Sequence, residues 1–223
     1  MGCANWMDDK RIGELGCMDD SRPLHRVRLR AFAIDRLEVT WAEYATCIKQ
    51  GQCPAAKKPS FEDLDKHPRR AATYVTWDGA QKFCASRGKR LPTEAEWEKA
   101  GRGTDLRSRP WGDQTATCQL AGLARCVSVI DPPDVGQYPK GASPYGVLDL
   151  VGGVKEWVAD RYEKTYYLTS PVDDPKGPST GIHRTIRGSS YKSFEGMEAL
   201  YGRYGREPSY AEDDLGFRCA KSL

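Results

Sequence analysis

The chain has 223 residues, 34 Lys plus Arg against 31 Asp plus Glu, a net charge of +3 and 39% hydrophobic residues. That is enough for a substantial core in one domain spanning 1–223, and the interspersed charges exclude a nucleic-acid-binding stripe. The longest apolar run, 154–159, is broken by Lys155 and Glu156 and falls far short of the ~20 residues that cross a bilayer.

In chain order, Met1-Gly2-Cys3 passes at once into polar residues, without the charged-then-apolar pattern of a secretory leader. Residues 26–40 partly alternate apolar with charged positions (Val27, Leu29, Phe32, Ile34, Leu37, Val39) and predict one or two strands. Thr40-Trp41-Ala42-Glu43 has the form of a capping box and opens a helix running to about Lys49, ended by Gly51. Cys47 and Cys53 flank that turn closely enough for one bridge. Residues 54–72 read as a surface loop. A second helix runs from Thr76 to Ser86 and stops at Gly88, and a third, short helix starts at Thr93 with Glu96 three residues on. From 102 to 190 the Gly and Pro content predicts irregular loops.

The eight cysteines, Cys3, Cys17, Cys47, Cys53, Cys84, Cys118, Cys126 and Cys219, are even in number and mostly lie in close pairs. No C-x-x-C occurs, and none of His25, His67 or His183 lies at ligand spacing from a cysteine pair, so disulfides are favoured over zinc ligands or reduced thiols. Disulfides imply an oxidising compartment, secreted, periplasmic or at the cell surface.

Four segments occur in order: Gly88-Lys89-Arg90-Leu91-Pro92-Thr93-Glu94-Ala95-Glu96-Trp97-Glu98, Pro110-Trp111-Gly112-Asp113, the YGVLDLVGGVKEW run from Tyr145 to Trp157, and Leu215-Gly216-Phe217-Arg218-Cys219. Together with Glu38-Val39-Thr40 and Arg187-Gly188-Ser189-Ser190, they resemble the formylglycine-generating-enzyme (sulfatase-modifying-factor) family over nearly the whole chain. The resemblance implies an α+β fold, a divergent relative of the C-type lectin fold. It also implies a natural N-terminus that extends further, because family members reach their Met-Gly pair in the middle of a first strand.

In the active enzymes of that family, two cysteines in the C-terminal third bind copper as soft thiolates. The stretch from Arg187 to Arg206 has no cysteine; Ser190, Glu195, Leu200 and Gly202 fall there instead. The resemblance therefore implies a member without formylglycine chemistry, with no copper expected. The family's Gly-Asn-Val-Trp-Glu-Trp also reads Gly152-Gly153-Val154-Lys155-Glu156-Trp157 here. By the same resemblance, calcium is expected on the side chains of Asp149 and Glu156 and the carbonyls of Val151, Gly152 and Val154, hard oxygen donors in a loop that needs small residues. The alternative is that Glu156 pairs with an arginine and Asp149 caps a turn. A family bridge ties Cys84 to Cys219, leaving Cys3 with Cys17, Cys47 with Cys53 and Cys118 with Cys126.

The expected function is a non-catalytic binding module for an unknown protein or small ligand, with no nucleic acid and no membrane insertion. Its expected surface comprises Ser190, Tyr191, Phe194, Tyr201, Tyr204, Arg206 and Tyr210, residue types suited to interfaces; Arg203 is expected to be structural. The alternatives are a metal-dependent oxidoreductase with a non-standard site and a pseudoenzyme that regulates an active paralogue.

Overall fold

Three helices form where capping signals place them, in a computed structural model that describes residues 1–3, 17–57, 66–127 and 131–223. Helix α1 spans Trp41–Lys49, α2 Trp77–Ser86 and α3 Glu94–Arg102. Both predicted capping boxes are present. At α3 the Glu96 amide donates to Thr93 Oγ1 (3.2 Å) and the Thr93 amide donates to Glu96 Oε2 (2.8 Å), which satisfies two donors that a helix start leaves open. Gly51 and Gly88 follow the first two helices with φ of +69° and +65°, a conformation that a Cβ would strain. Of the loop read at 54–72, residues 58–65 lie outside the described residues.

Strand β1 (Phe32–Ile34) is the regular part of the 26–40 segment, and Arg28 adds an isolated bridge to Asp173. The stretch 102–190, read as irregular, needs correction at its C-terminal end. It contains β2 (Val151–Gly153), β3 (Lys155–Arg161), β4 (Arg184–Arg187) and β5 (Ser189–Ser190). The sequence hides β3 because Glu156, Trp157 and Val158 are consecutive and all buried, so no alternation of apolar and polar residues marks it. Strands β6 (Arg203–Arg206), β7 (Leu215–Phe217) and β8 (Ala220–Ser222) complete the set.

The main sheet has the order β6-β4-β3-β7. Strands β4 and β6 run antiparallel to their neighbours, whereas β7 lies parallel to β3. Strand β1 pairs antiparallel with β8, and β2 pairs parallel with β5. One face of the main sheet meets α1 and α2 through an aromatic core in which Tyr44, Phe83 and Phe217 stack edge to face or tilted, at 5.5–6.1 Å. Trp77 and Trp157 are buried there, and each indole N–H finds a carbonyl, of Val158 (2.8 Å) and Val75 (3.0 Å) respectively. Trp97, Leu150, Val158 and Leu200 form a second core beneath α3.

The four disulfides are Cys3–Cys17, Cys47–Cys53, Cys84–Cys219 and Cys118–Cys126, and no cysteine is free. Cys84–Cys219 joins the end of α2 to the strand region at the C-terminus. Among the described residues no helix is long and apolar enough to cross a membrane. Together with the disulfides, this is compatible with an extracytoplasmic location.

Candidate functional site

The loops between the sheet and the two cores carry charge inward. Arg218, fully buried between β7 and Cys219, spreads its guanidinium over Glu156, donating from Nη2 to Oε1 (2.7 Å) and from Nε to Oε2 (2.8 Å). It also donates to the carbonyls of Asp35 (3.1 Å), Arg36 (3.0 Å) and Leu148 (2.9 Å). The Trp97 indole gives Glu156 a third donor at 3.0 Å.

Asp149 sits beside this pair with φ +61°, and one of its carboxylate oxygens accepts the Gly136 amide. Its neighbour is Glu38, which accepts the Val154 amide (3.3 Å) and leaves Oε2 buried without a hydrogen bond. Burial, together with the nearby Asp149 charge, pushes the Glu38 carboxyl well above the usual carboxylate range. Burial raises Asp149 too, against the pull of the Gly136 amide and Arg218.

Of the two carboxylates expected to bind calcium, Glu156 is held by Arg218 and Trp97, whereas Asp149 accepts one amide, that of Gly136. Glu156 is saturated by a buried cation and an indole, and does not fit the ligand role expected of it. Among the described residues no group of three or more His, Cys, Asp or Glu side chains is arranged to hold a metal. The orphaned Glu38 oxygen beside Asp149 is the one place in this cluster where a cation would relieve an unmet need. Gly153, which stands where the family has asparagine, has a steric reason: a Cβ there would come within 2.3 Å of Glu38 Oε1. Glu38 and Arg218 were visible in the sequence only as parts of fold motifs, and nothing in their spacing marks them as one cluster.

A second buried network joins α3 to the sheet. Arg187 donates to Glu94 (2.9 Å) and Glu98 (2.7 Å), Arg203 grips both oxygens of Glu94 (2.7 and 2.8 Å), and Arg102 reaches Glu98 (2.7 Å). Burial pushes Glu98 up, but the charges of Arg187, Arg102 and the Met1 amino group outweigh it and hold the carboxyl at about 2. Arg203 has the structural role expected of it.

The stretch from Arg187 to Arg206, where the family resemblance puts the copper-binding thiols of active members, is tied down by its own polar side chains. Ser190 Oγ donates to Asp214 (2.7 Å), the Ser190 amide donates to Ser193 Oγ (3.0 Å), and buried Glu198 is held by Arg109 at 3.1 Å. Of the surface named from sequence, Ser190, Tyr191 and Tyr201 require correction, because all three are buried. Tyr204 and Tyr210 are half-buried against the aromatic core, and Phe194 and Arg206 are exposed. Arg206 lies over the Tyr210 ring at 5.3 Å. Tyrosine content alone cannot separate a binding surface from a core.

Residues 4–223 match the sulfatase-modifying factor enzyme 1-like domain. The chain belongs to this family. It is 30% identical to the formylglycine-generating enzyme of Streptomyces coelicolor, over 94% of this chain and 84% of that protein. It is 32% identical to the hercynine oxygenase of Mycolicibacterium thermoresistibile, over 78% of this chain but 47% of that protein. It likewise spans 35% of the length of the serine/threonine-protein kinase pkn1 of Chlamydia caviae, at 30% identity. Among solved structures, PvdO from Pseudomonas aeruginosa superimposes with a TM-score of 0.82 and 26% identity, over 100% of this chain and 90% of that one. Treponema denticola variable protein 1 shares the fold at a TM-score of 0.74 and 22% identity, over 92% and 89%. The α+β, formylglycine-generating-enzyme-type fold follows from the family and from these structures together.

Proposed function

We propose that this domain is a non-catalytic, disulfide-stapled binding module of the sulfatase-modifying-factor family that works outside the cytoplasm. One observation supports this reading above the rest: all eight cysteines are engaged in bridges, so no thiolate pair is left to bind copper and none lies between Arg187 and Arg206. Oxidation of a substrate cysteine by the copper route requires two such soft ligands. The side chains in the corresponding loop, Ser190, Ser193 and Glu198, are hard donors already engaged with Asp214, the Ser190 amide and Arg109.

Calcium as a further staple rests on the family resemblance. In this chain the residues best placed to meet it are Asp149 and Glu38, rather than Glu156. The test is elemental analysis of protein purified without chelators under oxidising conditions, combined with thiol titration under denaturation. No copper or iron and no titratable thiol is the expected result, and one calcium per chain would add the staple at Asp149. Stoichiometric copper or iron, or two reactive thiols, would overturn the reading in favour of a metal-dependent oxidoreductase, in keeping with relatives that are named as enzymes.

A further inference from the structure

The main sheet carries two sets of arginines that oppose one another across strands. At one end of the β4–β6 pair, Arg187 lies opposite Arg203. Like charges in directly opposed positions repel, and here Glu94 answers the repulsion by pairing with both guanidinium groups (2.9 and 2.7 Å). Arg184 and Arg206 lie three residues away along the same strands, an odd step that puts them on the opposite face. Arg184 is opposite Arg206 on one side and opposite Arg161 of β3 on the other. Three guanidinium groups therefore form a row across three adjacent strands, and among the described residues none of them makes an ion pair.

Their protein contacts hold them in place without neutralising them. Each donates from Nη1 to a backbone carbonyl: Arg161 to Gly181 (2.8 Å), Arg184 to Ala159 (3.1 Å) and Arg206 to Gly205 (3.1 Å). Arg184 is half-buried and stacks on the Trp77 indole, its Cζ 3.6 Å from the ring centre, and Arg206 lies over Tyr210. Stacking on aromatic faces orients these two planar forks. Burial and the Arg161 charge push the Arg184 guanidinium down, and Asp78 and Asp160 offset them only in part. The fully buried arginines of the same domain, Arg187, Arg203 and Arg218, each have a carboxylate. The outer row lacks the counter-charge that the inner arginines receive.

The chemistry of the row selects the anion that supplies it. Three strands set the arginines across about 10 Å, and each guanidinium is a planar fork suited to paired oxygens. A carboxylate brings one charge and fills one fork. A phosphate monoester brings a charge of about −1.5 to −2 and three acceptor oxygens, enough to bridge two neighbouring forks. Two such groups on one ligand cover the row.

We propose that Arg161, Arg184 and Arg206 form a binding site for a ligand that carries two or more phosphate monoester groups. The proposal rests on the binding-module reading and gives it a ligand class; thiol and metal analysis tests that reading, and phosphate binding tests this site. The probe is inositol hexakisphosphate, titrated by calorimetry into the oxidised 223-residue protein at about 0.15 M salt, where screening over about 8 Å suppresses diffuse attraction. Arg184→Gln is expected to weaken binding about ten-fold. Arg184→Lys is expected to weaken it nearly as much, because the charge remains but the fork is lost. Arg161→Gln and Arg206→Gln are also expected to bind more weakly, while their thermal midpoints without ligand stay at or above that of the parent, since each removes a like charge. Arg26→Gln combined with Arg36→Gln, at exposed positions outside the main sheet, is expected to leave the affinity unchanged. Sucrose octasulfate, whose groups are singly charged, is expected to bind more weakly than the phosphate probe. Absence of binding, an equal loss in the Arg26 and Arg36 variant, or equally tight binding of the sulfate probe would each overturn the proposal. Lowered midpoints in ligand-free Arg161→Gln and Arg206→Gln would also overturn it, by assigning the row to the stability of the fold.

Discussion

The Cys84–Cys219 bridge closes a span of 135 residues, whereas Cys47–Cys53 closes 6. If a bridge acts chiefly by restricting the unfolded chain, the long loop contributes about 5 kcal/mol and the short one about 2 kcal/mol. All four sulfurs sit in the same aromatic core, with exposures between 0% and 8%, so truncation to alanine opens comparable cavities and that cost largely cancels between the two pairs. The perturbation is Cys84→Ala with Cys219→Ala, set against Cys47→Ala with Cys53→Ala. The assay is equilibrium urea unfolding with the remaining bridges intact. With a slope of about 2 kcal/mol per molar urea, the long-loop variant is expected to lose roughly 2.5 M in midpoint and the short-loop variant roughly 1 M. Equal losses would refute the loop-entropy reasoning and assign the stabilisation to local packing.

Three further outcomes follow from the buried charges. Glu98, held at about 2 when folded against 4.5 unfolded, contributes about 3 kcal/mol that is fully present above the unfolded value and is lost as pH falls toward the folded one; Glu98→Gln is therefore expected to be less stable than the parent at neutral pH, with the gap narrowing below about pH 4 in urea unfolding at stepped pH. Arg218→Met strands the Glu156 carboxylate and three carbonyls, with an expected cost of about 3–5 kcal/mol by the same unfolding assay; a loss near zero would mean that Glu156 finds another cation. Gly153→Ala drives a Cβ onto Glu38 and Asp149 and is expected to cost roughly 1–3 kcal/mol, read as a lowered thermal midpoint.

Much of the fold was legible because its signals are local. Thr40 with Glu43 and Thr93 with Glu96 mark helix starts by hydrogen bonds closed within four residues, and Gly51 and Gly88 mark helix ends by a conformation only glycine adopts freely. The candidate site was less legible because its contacts are distant. Glu38, Asp149, Glu156 and Arg218 meet across up to 180 positions, and each is one charged residue among many. Helix α3 misleads most. Its sequence, with Glu94, Glu96, Glu98, Lys99 and Arg102, has the composition of a solvent-facing helix, yet eight of its nine residues are buried. The arginines that make this tolerable come from β4 and β6, about ninety to a hundred residues away, and no periodicity within α3 announces them.

Those arginines explain how so little regular structure holds a core together. Long irregular loops leave backbone carbonyls without ladder partners, and a buried carbonyl left unpaired costs about as much as a lost hydrogen bond. A guanidinium offers five donors in a rigid fork, enough to satisfy a carboxylate and several carbonyls at once. Arg218 serves the carbonyls of Asp35, Arg36 and Leu148; Arg102 serves those of Gly2, Leu106 and Arg107; Arg187 serves Leu200 and Arg203 serves Asp20. Each arginine then needs a buried carboxylate beside it, which is why Glu94, Glu98 and Glu156 lie inside. Glu94, Glu98 and Glu156 are the counter-charges of these loop staples. A perturbed carboxylate here is weak evidence for catalysis unless it lacks such an arginine. Asp160, buried, held by the Glu94 amide and pushed up by burial and the Glu94 charge, pairs with no arginine among the described residues, and Glu38, whose Oε2 has no hydrogen bond, has only Arg218 at 3.8 Å.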